Sequence, residues 1–137
     1  MTDETSPTGD LTDEELEFLH STFDMARAGD PALLQLVDAG LPPNLTDPKH
    51  DTLLILATYY GRDDLVAGLL ARGADTERVN ERGQTALVAA VFRQSETNVR
   101  ALLAACADPS GGNPDAYATA DFFNLPAMRE LLPPRGA

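Results

Sequence analysis

The sequence predicts a mostly α solenoid in which about four helix-turn-helix units stack in series. Two observations carry this expectation. The first is self-similarity: Thr52 and Thr85, Leu54 and Leu87, Ala57 and Ala90, Leu69 and Leu102, and Ala74 and Ala107 are each 33 residues apart. Leu36 and Gly40 stand the same distance before Leu69 and Gly73. A unit of this length cannot bury its apolar face alone and must stack on its neighbours. The second observation is the pattern inside one unit. From Thr52 to Asp75, Leu53, Leu54, Leu56 and Ala57 form one helical face, Gly61 interrupts, and Leu65, Val66, Leu69 and Leu70 form another before Gly73.

At these residues the chain resembles the ankyrin repeat family, whose pattern runs roughly D-x-x-G-x-T-P-L-H-x-A-A-x-x-G, then a second helix closing on G-A-D. Asp47, Thr52, Leu54, Ala57, Gly61, Val66, Leu69, Leu70, Gly73, Ala74 and Asp75 fall on it. So do Asn80 in place of Asp, Gly83, Thr85, Leu87, Ala89, Ala90, Leu102, Leu103, Ala107 and Asp108. The chain departs from the pattern where Leu53 and Ala86 replace the proline, Ile55 and Val88 the histidine, His50 and Gln94 two glycines, and Gly68 a leucine. The resemblance implies two full repeats between two capping repeats, with short finger-like β-turn loops between them.

The expected organisation is an acidic, disordered tail over 1–10, an ankyrin-like domain over 11–132, and a short tail over 133–137. Within the domain we expect an N-terminal cap repeat at 11–44, full repeats at 45–77 and 78–110, and a C-terminal cap repeat at 111–132. The first helix has a complete start signal, with Thr12 as N-cap, Glu15 as its reciprocal partner and Leu11 against Leu16 as a hydrophobic staple. Leu16, Leu19, Phe23 and Ala26 form its apolar face and Gly29 ends it. Asp30 caps the next helix, Pro31 opens it, Leu33, Leu34, Leu36 and Val37 form its face, and Gly40 terminates it.

The loop LPPNLTDPKHD, Leu41 to Asp51, sits where the family projects a finger, and TERVNERGQ, Thr76 to Gln84, is the next. His50 holds the position of Gly83 one unit on, and histidine is among the better non-glycine residues if that site needs positive φ. After Cys106 the period decays. Asn113 keeps the offset from Asn80 and Pro114 suits a helix start, so the last pair is expected with Ala116, Ala120 and Phe123 packing its first helix. Its second, Pro126 to Leu132, stands four residues early.

Ten Lys and Arg face 22 Asp and Glu, a formal net charge of −12. A duplex nucleic acid or an anionic membrane surface would be repelled, so neither is an expected partner, whereas a basic protein would be attracted. One cysteine forms no internal disulfide, and Met1 to Asp10 has neither the basic start nor the apolar run of a secretory signal. A cytoplasmic monomer without cofactor or metal is expected.

Cys106 with His20 or His50 is the only nucleophile and base combination to weigh, and stacking places them in different units. A small residue at a helix end explains Cys106 more simply. Glu14-Glu15 and Asp63-Asp64 lie at helix starts, where the macrodipole favours negative charge without any catalytic role. Gly111-Gly112 lacks a phosphate-cradling motif.

What folding does not explain is a set of bulky groups at the variable positions before the turn glycine. These are Tyr59-Tyr60 and Phe92-Arg93, with Ala26-Arg27 as the first-repeat equivalents and Phe122 near the last. Aromatic residues and arginine are the commonest interface anchors. The resemblance implies that the partner is a protein, met by Tyr59, Tyr60, Phe92 and Arg93 in the concave groove and by finger residues Lys49, Asp51, Glu81, Arg82 and Gln84. The leading reading is a non-catalytic adaptor or scaffold module. A second is a small acidic inhibitor or immunity-type protein that blocks a basic enzyme, and the least favoured is an enzyme using Cys106.

Overall fold

The computed structural model describes residues 11–135. The expected disorder of 1–10 therefore lies outside the described residues, as do 136 and 137 of the expected C-terminal tail. Among the described residues there are eight helices and no strand: α1 (Asp13–Ala28), α2 (Ala32–Asp38), α3 (Leu53–Tyr59), α4 (Asp63–Ala71), α5 (Ala86–Phe92), α6 (Glu96–Ala104), α7 (Ala116–Phe122) and α8 (Pro126–Leu131). They form two layers. The inner layer α1, α3, α5, α7 and the outer layer α2, α4, α6, α8 each stack in chain order, and each pair is also packed across the layers.

The turn inside each pair is built four times from one hydrogen bond. Asp30 N–H donates to the Met25 carbonyl at 3.0 Å, Arg62 to Ala57 at 2.8 Å, Ser95 to Ala90 at 3.0 Å and Leu125 to Ala120 at 2.8 Å. The residue before each donor is left-handed: Gly29 (φ 74°), Gly61 (74°), Gln94 (57°) and Asn124 (55°). This is the C-terminal closure that lets a helix end without orphan carbonyls. The four donors fix the true spacings at 32, 33 and 30 residues.

The last spacing corrects the sequence reading. The final pair comes three residues early as a block, because the loop ahead of α7 is short and Asp115, not Pro114 or Asn113, begins the helix as its N-cap. The constant offset of Asn113 from Asn80 is therefore a coincidence of spacing. The same alignment makes Arg27 and Ala28, rather than Ala26 and Arg27, the first-repeat equivalents of Tyr59 and Tyr60.

Thr12 is the N-cap of α1 with both halves of its capping box formed, Glu15 N–H to Thr12 Oγ1 at 3.0 Å and Thr12 N–H to Glu15 Oε1 at 2.8 Å. Asp30 Oδ1 accepts from Ala32 N–H at 3.0 Å, the bond expected of it, although Pro31 and not Asp30 directly precedes α2. Thr52 and Thr85 cap α3 and α5 through Ile55 and Val88 N–H at 3.0 and 3.2 Å. The left-handed sites closing the outer layer are Gly40, Gly73 and Cys106 (φ 69°), so the cysteine is an exposed helix terminator.

The expectation of a single apolar face on α3 understates its burial. Leu53 to Thr58 are all buried, as are Ala86 to Val91 in α5, because each inner helix is flanked by two inner neighbours and roofed by an outer one. Only the last residue of each, Tyr59 or Phe92, reaches partial exposure. In the outer layer Leu69 and Leu102 are fully buried while Leu36 is half-buried, since α2 has an outer-layer neighbour on one side only. Phe123, expected in the core, is 49% exposed, and Tyr117 takes the buried place instead.

Asn98 is fully buried on α6, and neither its Oδ1 nor its Nδ2 has a hydrogen-bond partner among the described residues. Its counterparts in the adjacent units are buried Leu65 and Met128, so a carboxamide stands in an apolar column. Burying such a group unpaired costs about 1–3 kcal/mol. Asn98→Leu is expected to raise unfolding stability by about that amount, read from the urea midpoint at unchanged m. A lowered midpoint would show that the carboxamide is satisfied in solution.

Asp115 carries the start of the last unit. Its carboxylate accepts from Ala118 N–H at 2.8 Å and from the Arg135 guanidinium at 3.0 and 3.2 Å. Partial burial pushes the carboxyl upward, but the Arg135 hydrogen bonds, the backbone N–H groups and the arginine charge outweigh it and leave the group below the ordinary 3.8. A carboxyl lowered on folding adds stability that is present above its unfolded value and is lost as pH falls through the folded one. Acid titration of unfolding should therefore show the parent losing this contribution below about pH 4, and Asp115→Asn, which keeps an N-cap, lacking it.

Candidate functional site

The inner helices end on one side of the molecule, and their final residues form a continuous aromatic row. Tyr60 packs edge-on to Tyr59 at 5.6 Å between centroids, and Tyr59 stacks on Phe92 at 6.2 Å with the rings 6° from parallel. Phe92 meets Phe123 edge-on at 5.3 Å, and Phe123 meets Phe122 at 4.9 Å. The row exists because the repeat returns the same helix end to the same place. Tyr59, Phe92 and Phe122 are equivalent last residues of α3, α5 and α7, and Tyr60, Arg93 and Phe123 follow them.

Two fingers face this row. In the first, Asp47 Oδ1 accepts from Lys49 and Asp51 N–H, both at 2.9 Å, and in the second Asn80 Oδ1 accepts from Arg82 and Gln84 N–H, again both at 2.9 Å. Each hairpin closes through a left-handed residue, His50 (φ 66°) and Gly83 (φ 79°), as the sequence comparison of these two positions anticipated. The fingers are joined to one another by Glu81 N–H to the Lys49 carbonyl at 3.0 Å and by Asn80 Nδ2 to Asp51 Oδ1 at 2.8 Å. Gly83 must stay glycine where His50 need not, because a Cβ there would collide with the Asn113 carbonyl oxygen.

Between row and fingers lie two cavities. One, of about 600 Å³, is lined by Phe23, Ile55, Leu56, Tyr59 and Tyr60 on the helix side and by Lys49 and Arg82 among the finger residues. The other, of about 500 Å³, lies between α5 and α7 and is lined by Val88, Phe92, Ala118, Phe122 and Phe123, with Gln84 at its finger edge. The Tyr59 ring lies beneath two guanidiniums, Arg82 at 5.8 Å and Arg93 at 5.5 Å from its centroid. Flanking of this kind is attractive through the ring quadrupole.

The structure thus brings Tyr59, Tyr60, Phe92, Arg93 and Arg82 into one neighbourhood. Lys49 and Glu81 are exposed on the fingers and Gln84 is half-buried. Asp51 differs, being 6% exposed and bonded to Asn80, so its carboxylate is committed to joining the fingers. Arg27, named in the sequence as a first-repeat equivalent of the groove residues, lines the first cavity, and Phe123 belongs to the site although it was not singled out for it in the sequence. Phe123 was concealed by the three-residue shift, while the one-residue shift in the first unit makes Arg27 the counterpart of Tyr59 instead of Tyr60.

A two-layered stack of helix pairs with projecting hairpins and an aromatic row along the inner helix ends defines a repeat protein of the ankyrin class. The family pattern of three ankyrin repeats matches residues 23–113. The chain belongs to the ankyrin repeat family. It is similar to an ankyrin repeat protein of Pseudomonas aeruginosa, 51% identical over 67 residues that cover 48% of this chain and 38% of that one. It is also similar to an ankyrin repeat-containing protein of Treponema pallidum, 37% identical over 75 residues that cover 54% of this chain and 25% of that one. The chain therefore spans well under half the length of these relatives. Among solved structures, the ankyrin repeat domain of human ASB11 superposes with a TM-score of 0.60 at 28% identity, covering 64% of this chain and 40% of that domain. Ankyrin repeats are in general protein–protein interaction modules. No helix among the described residues is long and apolar enough to cross a membrane.

Proposed function

We propose that this chain is a non-catalytic, monomeric, cytoplasmic adaptor or scaffold module that binds a protein partner across the concave groove and the fingers. The observation that supports it is the aromatic row. Five rings and two guanidiniums gather at helix ends where the neighbouring residues, Leu53 to Thr58 and Ala86 to Val91, already supply the core. Large aromatics held by one another lose little further entropy on binding and fill partner pockets, which is how interface anchors work. Tyr59, Tyr60, Phe92 and Arg93 are the proposed anchors, with Lys49, Glu81, Arg82 and Gln84 contacting the partner from the fingers and Asp51 fixing their spacing.

Affinity capture from a lysate of the source cells, followed by mass spectrometry, tests this when the parent and a Tyr59→Ala, Phe92→Ala double variant are used side by side. The expected result is at least one protein retained by the parent and lost by the variant, with both baits showing the same folded circular dichroism. Identical capture by the two baits would remove the groove from the account.

A further inference from the structure

We infer that the groove accepts a linear peptide segment pairing a carboxylate with an apolar side chain, the carboxylate at the Arg82 and Arg93 guanidiniums and the apolar group in the cleft between Phe92 and Phe122. This rests on the groove reading above and specifies the chemistry of its occupant.

Of the ten Lys and Arg in the chain, six form ion pairs: Arg27, Arg72, Arg78, Arg100, Arg129 and Arg135. Arg62 instead donates Nε–H to the Arg27 carbonyl at 2.7 Å. The remaining three, Lys49, Arg82 and Arg93, have no ion-pair partner among the described residues, and all three border the groove. With 22 carboxylates in the sequence, acids are abundant, yet these cations are left without one.

The carboxylates that do line the groove are already occupied. Asp24 is held by Arg27 at 2.8 Å, and Asp47 is buried, accepting finger N–H groups with Arg27 at 3.5 Å. Asp51 is buried against Asn80. Glu81, exposed on the finger, lies outside the lining of both cavities and forms no ion pair among the described residues, so it is the one finger acid left free beside Arg82. What the groove offers an incoming chain is thus two exposed guanidiniums, at 5.8 and 5.5 Å from the Tyr59 ring centroid, each with the planar fork of donors that suits a carboxylate. Beside them is an apolar cleft lined by Val88, Phe92, Ala118, Phe122 and Phe123, in which Phe122 is 81% exposed.

The net charge of −12 repels an acidic peptide at long range but is screened before contact. It acts over a screening length of about 8 Å, whereas the guanidinium contact is made at hydrogen-bond distance. A basic partner remains the expectation from charge summed over the whole chain. Within the groove the formal charges of the first cavity balance, Arg27, Lys49 and Arg82 against Asp24, Asp47 and Asp51, and the groove cations left without an ion-pair partner among the described residues are Lys49, Arg82 and Arg93.

Selection from a phage-displayed library of random linear peptides against the full chain tests the inference, followed by affinity measurement on one synthetic peptide from the enriched set. The expected result is enrichment of Asp or Glu close to an aromatic or large aliphatic residue. Binding of the synthetic peptide should fall by about tenfold or more in Arg82→Glu, Arg93→Glu and Phe92→Ala. Arg82→Gln and Arg93→Gln, which remove charge without reversing it, should fall in the same direction and serve if a reversal variant misfolds. Enriched peptides that are basic or uncharged, yet lose affinity in Tyr59→Ala and Phe92→Ala, would overturn the acidic occupant and leave the groove reading standing. Enriched peptides indifferent to Tyr59→Ala and Phe92→Ala would overturn the groove reading itself. A selection without enrichment would overturn a linear peptide as the occupant.

Discussion

Truncating Leu69 to alanine is expected to destabilise the fold by about 2–5 kcal/mol, measured as the loss of unfolding free energy in urea. Leu69 is fully buried on α4, an outer helix that packs on α2, α3 and α6. Removing it leaves a cavity shared by adjacent units, and in a solenoid those nearest-neighbour interfaces carry much of the stability. The structure adds an internal comparison. Leu102 is the equivalent residue with equivalent burial and should cost as much, while Leu36, only half-buried at the edge of the stack, should cost clearly less. Equal losses at Leu36 and Leu69 would contradict the placement of α2 at the end of the outer layer.

At the groove the expected effect is on affinity. Tyr59→Ala or Phe92→Ala should weaken binding of the captured partner by about 2 kcal/mol or more, measured by calorimetric titration, with little change in unfolding midpoint. The reasoning is that the two rings stack on one another and on exposed neighbours, while the buried residues beneath them are supplied by α3 and α5. Removing Tyr59 also strips the platform under Arg82 and Arg93, so its effect should be the broader of the two. Charge changes at Lys49 or Glu81, which are exposed, should alter association rate and salt dependence more than dissociation. A large fall in stability without a matching fall in affinity would assign these rings to folding.

Most of the fold was legible because it is periodic. Helix ends were written in local chemistry: the Thr12 capping box, Thr52 and Thr85, the glycines at Gly29 and Gly61, and His50 standing where a left-handed residue was required. Period alone failed where the loop before α7 lost three residues, because Asn113 happened to preserve the old offset and hid the shift. That concealed the exposure of Phe123 and the capping role of Asp115. The groove row could be read from the variable positions before each turn. Its electrostatic character could not, since the burial of Asp51 depends on a bond between two fingers 29 residues apart, and the approach of Arg82 to Tyr59 depends on where the second finger lies against the helix ends. Summed charge gave the sign of the molecule, and only the structure shows which cations stand unpaired at the site.

Amide NMR on the labelled chain, titrated with a partner recovered by capture, tests the central claim most directly. The groove account predicts that the largest shift changes fall on Lys49, Tyr60, Arg82, Arg93 and Phe123, tracing the aromatic row and the facing fingers. Changes concentrated instead on the outer helices, at exposed Ala67 of α4 and Arg100 of α6, with the row unmoved, would contradict it.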